Sequence, residues 1–112
     1  MRWQRDLYKK AWNANYIENH DQPRIISRYG SEKYRVESGK MLGTMYILQS
    51  GTPFIYQGQE IGMLNANIPT IDRYKDVSSI NTYNLCKKLC IPEKIIMKLC
   101  MYASRDNART PM

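Results

Sequence analysis

The 112 residues contain one histidine, one phenylalanine and three cysteines, and each scarcity excludes something. An odd number of cysteines in a chain with no secretion signal argues against a disulfide framework. Cys86 and Cys90 are four apart, on one face of a helix, and read as structural thiols. The single histidine, His20, is far from them in sequence, so no zinc ligand set forms and no metal or other cofactor is expected. No window holds the roughly 18 uncharged apolar residues that a membrane span needs, so no membrane partner is expected. Residues Met1 to Asp6 are charged, with no apolar stretch behind them. That is not a signal peptide, and the expected compartment is the cytoplasm. Repeats and low-complexity linkers are also missing.

What is present suits a packed domain. Hydrophobic residues make up 43%, with nine tyrosines and two tryptophans, too much apolar material for a disordered tail. The length allows one domain at most. Seventeen basic residues against ten acidic ones give a net charge of +7. The basic residues are scattered, the densest cluster being Lys87 and Lys88 with Lys94 and Lys98 nearby. No nucleic-acid-binding motif accompanies them, so nucleic acid is not an expected partner. A small basic binding module without enzyme chemistry remains a remote alternative.

Along the chain, residues 3–12 read as the end of a helix and 15–18 as a short strand. Asn19 to Arg24 is a polar loop, because Pro23 lacks the amide hydrogen that a ladder needs. Ile25 to Tyr29 can form a helical turn that Gly30 stops. The clearest helix covers 34–49, where Ser38, Leu42, Met45, Tyr46 and Gln49 fall on one face and Met41 and Leu48 widen it. Gly39 and Gly43 are costly inside a helix and point to close packing against another element. Phe54-Ile55-Tyr56 follows as a strand expected to be buried on both faces. A helix is expected over 73–90, with Tyr83 and Leu85 to Leu89 on its buried side, and another over 93–103. Pro92 suits the first helical position. Ser104 to Met112 reads as a polar tail. Strand, helix, strand with about 35 residues of crossover is long enough for a parallel βαβ unit.

Three polar segments sit at or after element ends: Glu18 to Arg24, Gly51 to Met63, and Ser104 to Met112. In this order and spacing, with Trp12-Asn13, Tyr34 to Ser38 and Lys40 to Leu42, they resemble the C-terminal part of the catalytic barrel in glycoside hydrolase family 13, oligo-1,6-glucosidase subgroup. The resemblance implies an α/β fold, a partial (β/α)₈ TIM barrel in which Tyr16 to Glu18 is the seventh strand and Phe54 to Tyr56 the eighth. The whole chain, 1–112, is then an incomplete domain. Active sites of such barrels lie at the C-terminal strand ends.

By the same resemblance Asp21 matches the carboxylate that stabilises the transition state. His20 and Arg109 match residues that bind the sugar in the −1 subsite. A carboxylate beside a ring that gains positive charge favours the transition state over the ground state. Without the resemblance, a lone histidine is ordinarily a structural hydrogen-bonder. Glu60 reads as structural and Gln59 carries no functional meaning, while Arg24 and Arg28 are expected to pair with carboxylates around the site. The nucleophile and general acid of a retaining glycosidase are two carboxylates about 5–5.5 Å apart. In the family they follow the fourth and fifth strands, and no segment here matches either. The chain is therefore expected to be a truncated piece, inactive alone, of an enzyme acting on short oligosaccharides. Trehalose-6-phosphate hydrolases share nearly the same motifs and stay open as an alternative, because the linkage-setting residues lie beside the missing nucleophile.

Overall fold

The computed structural model describes residues 2–111. Helix α1 covers Arg2–Leu7, strand β1 Ala14–Asn15, α2 Ile25–Tyr29, α3 Arg35–Ile47 and strand β2 Thr52–Pro53. A 3-10 turn at Ile71–Arg73 precedes α4 (Val77–Lys88) and α5 (Glu93–Ala103), and a second 3-10 turn spans Arg105–Ala108.

The two strands pair in parallel, Ala14 opposite Thr52 and Asn15 opposite Pro53. They begin one and two residues before the positions read from apolar pattern, 15–18 and 54–56, and β1 shares only Asn15 with its expected strand. The ladder explains this. The amide of Thr52 donates to the Asn13 carbonyl and that of Phe54 to the Asn15 carbonyl, each at 2.8 Å. Pro53, between them, faces the other edge, where its missing amide hydrogen breaks no bond of this pair. Ile55 and Tyr56 find no further strand to join among the described residues, so the pairing ends. Phe54 and Ile55 are 57% and 56% exposed, contrary to the two-sided burial expected of them. Burial on both faces needs flanking elements, and these residues supply none.

A buried asparagine fixes the junction between α3 and β2. Asn15 Nδ2 donates to the carbonyls of Gln49 and Ser50 at 3.3 and 3.2 Å. Gly51 completes the turn at φ +137, where an added Cβ would stand 2.6 Å from the Asn13 carbonyl oxygen. Only glycine takes that backbone shape without strain.

Two apolar clusters form. In the first, Ile25 and Ile26 of α2 pack on Leu42 of α3, with Ile17 and Leu64 at the margin. The α2 turn ends as expected at Gly30, whose amide donates to the Ile26 carbonyl. The buried line on α3 is Ser38, Leu42 and Tyr46, narrower than the sequence suggested, since Met41, Met45 and Leu48 are exposed. Gly39 does pack closely, an added Cβ falling 3.4 Å from Ile26 Cδ1, whereas Gly43 has nothing within 4 Å.

The second cluster joins Tyr74, Tyr83, Ile96 and Cys100 in the α4–α5 hairpin. Ile96, 1% exposed, is the type of side chain whose burial contributes about 1.5–3 kcal/mol. Asp76 caps α4, accepting from the Ser78 amide, and Cys90 closes it in the left-handed conformation at φ 57. Leu85 and Leu89 are exposed and do not belong to the buried side; Ser79 and Tyr83, four apart, do. Pro92 stands just before α5 rather than as its first residue. The polar tail is ordered: Ser104 accepts from the Asp106 amide and Asn107 and Ala108 are buried. Met112 lies outside the described residues. Of the three thiols, all free, Cys100 is buried, Cys86 half-buried and Cys90 exposed.

The radius of gyration is 16.7 Å, against about 13 Å for a compact chain of this length. Among the described residues, no helix is long and apolar enough to cross a membrane, and no group of His, Cys, Asp or Glu could hold a metal ion.

Candidate active site

The loop after β1 is built around a buried ion pair. The side chains of Glu18 and Arg24 are 1% and 0% exposed and meet at 3.1 Å between Glu18 Oε1 and Arg24 Nη1. The same nitrogen donates to the Gln57 carbonyl at 2.7 Å, and the guanidinium lies 5.3 Å from the centre of the Tyr56 ring. The Arg24 amide donates to Asn65 Oδ1 at 2.8 Å. Arg24 thus ties the loop after β1 to the loop after β2. Gly58 lets that second loop pass, at φ +83, with an added Cβ 2.2 Å from the Met63 sulfur. Burial pushes the Glu18 carboxyl up from its ordinary pKa, against the opposing pull of Arg24.

Pairing with a carboxylate was expected of both Arg24 and Arg28. Arg24 shows it. Arg28 instead donates to the Gln22 amide oxygen and stacks on Tyr29, 4.9 Å from the ring centre.

Clamped by that pair, the segment Asn19 to Pro23 projects His20 and Asp21 outward. The Asp21 amide donates to Asn19 Oδ1 at 2.9 Å, a local turn of the kind asparagine favours. Arg109 reaches the same place from the far end of the chain. Its Nη2 donates to Asp21 Oδ1 and its Nε to the His20 carbonyl, both at 3.0 Å. His20 Nε2 lies 3.2 Å from Asp21 Oδ2. The three residues singled out in the sequence therefore converge, and the side chains of His20 and Asp21 remain about half exposed or more.

Arg105 and Asp76 join them. Arg105 donates to Asp76 Oδ1 through Nε at 3.0 Å and Nη2 at 2.7 Å, and its Nη1 lies 3.5 Å from Asp21 Oδ1. Asp76 is 4% exposed. Burial tends to raise its pKa, but hydrogen bonds from Ser79, Arg105 and the Ser78 amide outweigh it and hold the carboxyl at about 2. Asp106 completes the lock, its Oδ2 accepting from the amides of Lys75 and Asp76 at 2.8 and 2.9 Å. Asp21, Asp76, Ser79, Thr82 and Arg105 line one open cleft.

Glu60 is exposed on the loop after β2. Gln59 has a structural task the sequence did not disclose: its Oε1 accepts from the Tyr56 amide and its Nε2 donates to the Tyr46 hydroxyl. Sequence reasoning also missed Asp76 and Arg105. Asp76 carries a readable signal as a capping residue before Val-Ser-Ser, but its bond to Arg105, 29 positions away, leaves no local trace.

Around Asp21 the arrangement gathers one imidazole and two guanidinium groups at the rim of that cleft, a set suited to holding a hydroxylated ligand. The whole chain, residues 1–112, matches the model of the alpha amylase catalytic domain. The chain belongs to that family, a family of TIM-barrel glycoside hydrolases. It is 48% identical to an oligo-1,6-glucosidase of Parageobacillus thermoglucosidasius, over 99% of this chain and 20% of that protein. It is 45% identical to a trehalose-6-phosphate hydrolase of Bacillus subtilis, over 98% of this chain and again 20% of the relative. A crystal structure of Bacillus licheniformis trehalose-6-phosphate hydrolase superposes with a TM-score of 0.96 at 48% identity, covering 99% of this chain and 20% of the other. The chain thus spans one fifth of the length of these relatives.

Proposed function

We propose that these residues are the C-terminal part of the catalytic barrel of a retaining α-glucosidase that acts on short oligosaccharides. Ala14–Asn15 and Thr52–Pro53 begin its seventh and eighth strands, and the segment Asn19 to Arg24 is the loop at the mouth of the barrel. Asp21 is the carboxylate that stabilises the oxocarbenium-like transition state. His20 and Arg109 hold the hydroxyls of the sugar being cleaved. One observation carries this reading: His20, Asp21 and Arg109, up to 89 positions apart, meet within 3.0–3.2 Å at a strand end.

Electrostatics gives the geometry its use. Arg109 and Arg105 both touch Asp21 Oδ1, and Oδ2 lies on the His20 side. A fixed negative charge beside an anomeric carbon that becomes positive is worth more in the transition state than before it. Hydrolysis with retention also needs a nucleophile and an acid about 5–5.5 Å apart. The other carboxylates near Asp21 are engaged, Glu18 by Arg24 and Asp76 by Arg105. The segment alone is therefore inactive, and residues outside it must supply the nucleophile and acid. A trehalose-6-phosphate hydrolase is the second reading, favoured by the 0.96 superposition.

The test uses the full-length enzyme carrying this segment, assayed on isomaltose, maltose and trehalose-6-phosphate. Asp21→Asn should lower kcat by about 10²–10³-fold or more, the scale for losing one preorganised electrostatic contact. Retention of most of kcat would remove Asp21 from this role. The preferred substrate decides between the two readings.

A further inference from the structure

We propose that Arg105 is a positioning residue for Asp21, aimed by the buried carboxylate of Asp76. The inference rests on the reading of Asp21 given above and assigns a role to two residues which that reading does not use.

Three observations carry it. The first is the division of the guanidinium. Its Nε and Nη2 edge is committed to Asp76 Oδ1 at 3.0 and 2.7 Å, leaving Nη1 directed at Asp21 Oδ1 at 3.5 Å. A planar fork held along one edge can point its remaining nitrogen in only one direction. The second is that Asp76 is itself fixed. Its Oδ2 accepts from Ser79 Oγ at 2.7 Å, its Oδ1 from the Ser78 amide at 3.3 Å, and its side chain is 3% exposed. The third is that the neighbour of Arg105 is bolted to the same place, Asp106 bonding the Lys75 and Asp76 amides. Arg105 therefore cannot swing away from Asp21 without parting from an anchored carboxylate.

The Asp21 carboxylate receives Arg109 and Arg105 on the same oxygen, Oδ1. Two donors from separate directions restrict its rotation, which a single exposed contact does not. The consequence concerns catalysis. An Asp21 that rotates freely still carries its charge but presents it in many orientations, and misplacement on the order of 1 Å can cost about 10²-fold in rate. The α4–α5 hairpin, which touches the site through Asp76, thereby becomes part of the catalytic frame.

The experiment uses the full-length enzyme with Arg105→Gln, Arg105→Ala, Asp76→Ser, Asp21→Asn and the Arg105→Gln/Asp76→Ser double variant. Serine still caps a helix, so Asp76→Ser can keep the bond to the Ser78 amide while it loses the carboxylate that holds Arg105 and accepts from Ser79 Oγ. Arg105→Gln should lower kcat by about 10- to 100-fold. KM should change much less, because substrate binding by His20 and Arg109 is intact. Asp76→Ser should reproduce the effect, and the double variant should be no worse than the worse single one. Methylguanidinium at non-denaturing concentration should restore part of the Arg105→Ala turnover, which a loss of general stability would not permit. Wild-type kcat in Arg105→Gln, alongside a strong Asp21→Asn defect, overturns the positioning role and leaves the reading of Asp21 intact. Unchanged kcat in Asp21→Asn overturns both. If Asp76→Ser lowers the melting temperature sharply, the Arg105 variants still decide, because Arg105 is 40% exposed and the methylguanidinium rescue returns the missing group to Asp76 and Asp21.

Discussion

Arg109 reaches Asp21 across 88 positions of sequence and donates to its Oδ1 at 3.0 Å, while its Nε takes the carbonyl of the preceding residue. The grip is two-pronged and spans side chain and backbone. It therefore sets where the Asp21 carboxylate stands as well as which charge faces it.

Lysine should not replace that arginine. Arg109→Lys keeps the charge but has no fork with which to hold both oxygens. In the full-length enzyme we expect kcat/KM to fall by about 100-fold, the range for one lost preorganised donor. Steady-state kinetics reads it. Stability should move by less than about 1 kcal/mol, because both side chains are close to half exposed and such pairs are weak in water. A large fall in melting temperature with little change in kcat/KM would assign Arg109 to the fold instead.

Arg24→Met should act in the opposite way. It strands the Glu18 carboxylate in a buried place, at an expected cost of about 3–5 kcal/mol. Burial already pushes Glu18 upward in pKa, so without Arg24 the group can escape by taking a proton. The destabilisation should then be larger at pH 8 than at pH 5. Urea midpoints at the two pH values test this, and equal losses would show that the pair contributes packing rather than charge.

Asp76 makes a prediction in acid. Its folded pKa of about 2 lies below the ordinary 3.8, so its contribution is full above pH 3.8 and is lost as pH falls toward 2. The shift corresponds to about 2 kcal/mol. Asparagine caps a helix comparably and does not titrate. The difference in unfolding free energy between wild type and Asp76→Asn should be flat above pH 5 and shrink by about 2 kcal/mol between pH 4 and pH 2. A difference independent of pH would mean that Asp76 acts only as a cap.

These 112 residues alone should not melt cooperatively. The parallel ladder is two residues long, Trp3, Trp12, Leu48, Phe54 and Ile55 are exposed, and the shape extends to 53 Å. An open strand edge beside exposed apolar surface invites association. We expect oligomers on size exclusion and a broad, partly helical melt by circular dichroism. A monodisperse monomer with one sharp transition would overturn this expectation.

What was legible in the sequence follows the range of the forces involved. The turn Ile25–Tyr29 with its Gly30 stop, and the helix read over 93–103, rest on local signals and were placed well. The expected strands start one and two residues late, because apolar pattern marks where a side chain would be buried and the ladder marks where a partner exists. Leu85 and Leu89 look like core residues, yet the α4–α5 hairpin has one buried seam and Tyr83 occupies it. At the site, resemblance alone singles out His20, Asp21 and Arg109, which the structure brings together. Asp76 was not, since nothing within a few residues of it foretells Arg105.

The long reach between Asp21 and Arg109 also orders events during synthesis. A ribosome adds about 5–20 residues per second, so Asp21 is made roughly 4–18 s before the arginine that fixes it. Glu18 and Arg24, six positions apart, are made about 0.3–1.2 s apart over the same range of rates. The loop is therefore clamped at its base early, while its carboxylate waits for a partner that arrives with the last residues of the segment. Any stop in translation before residue 109 releases a product that has the Asp21 loop and lacks the two-pronged contact from Arg109.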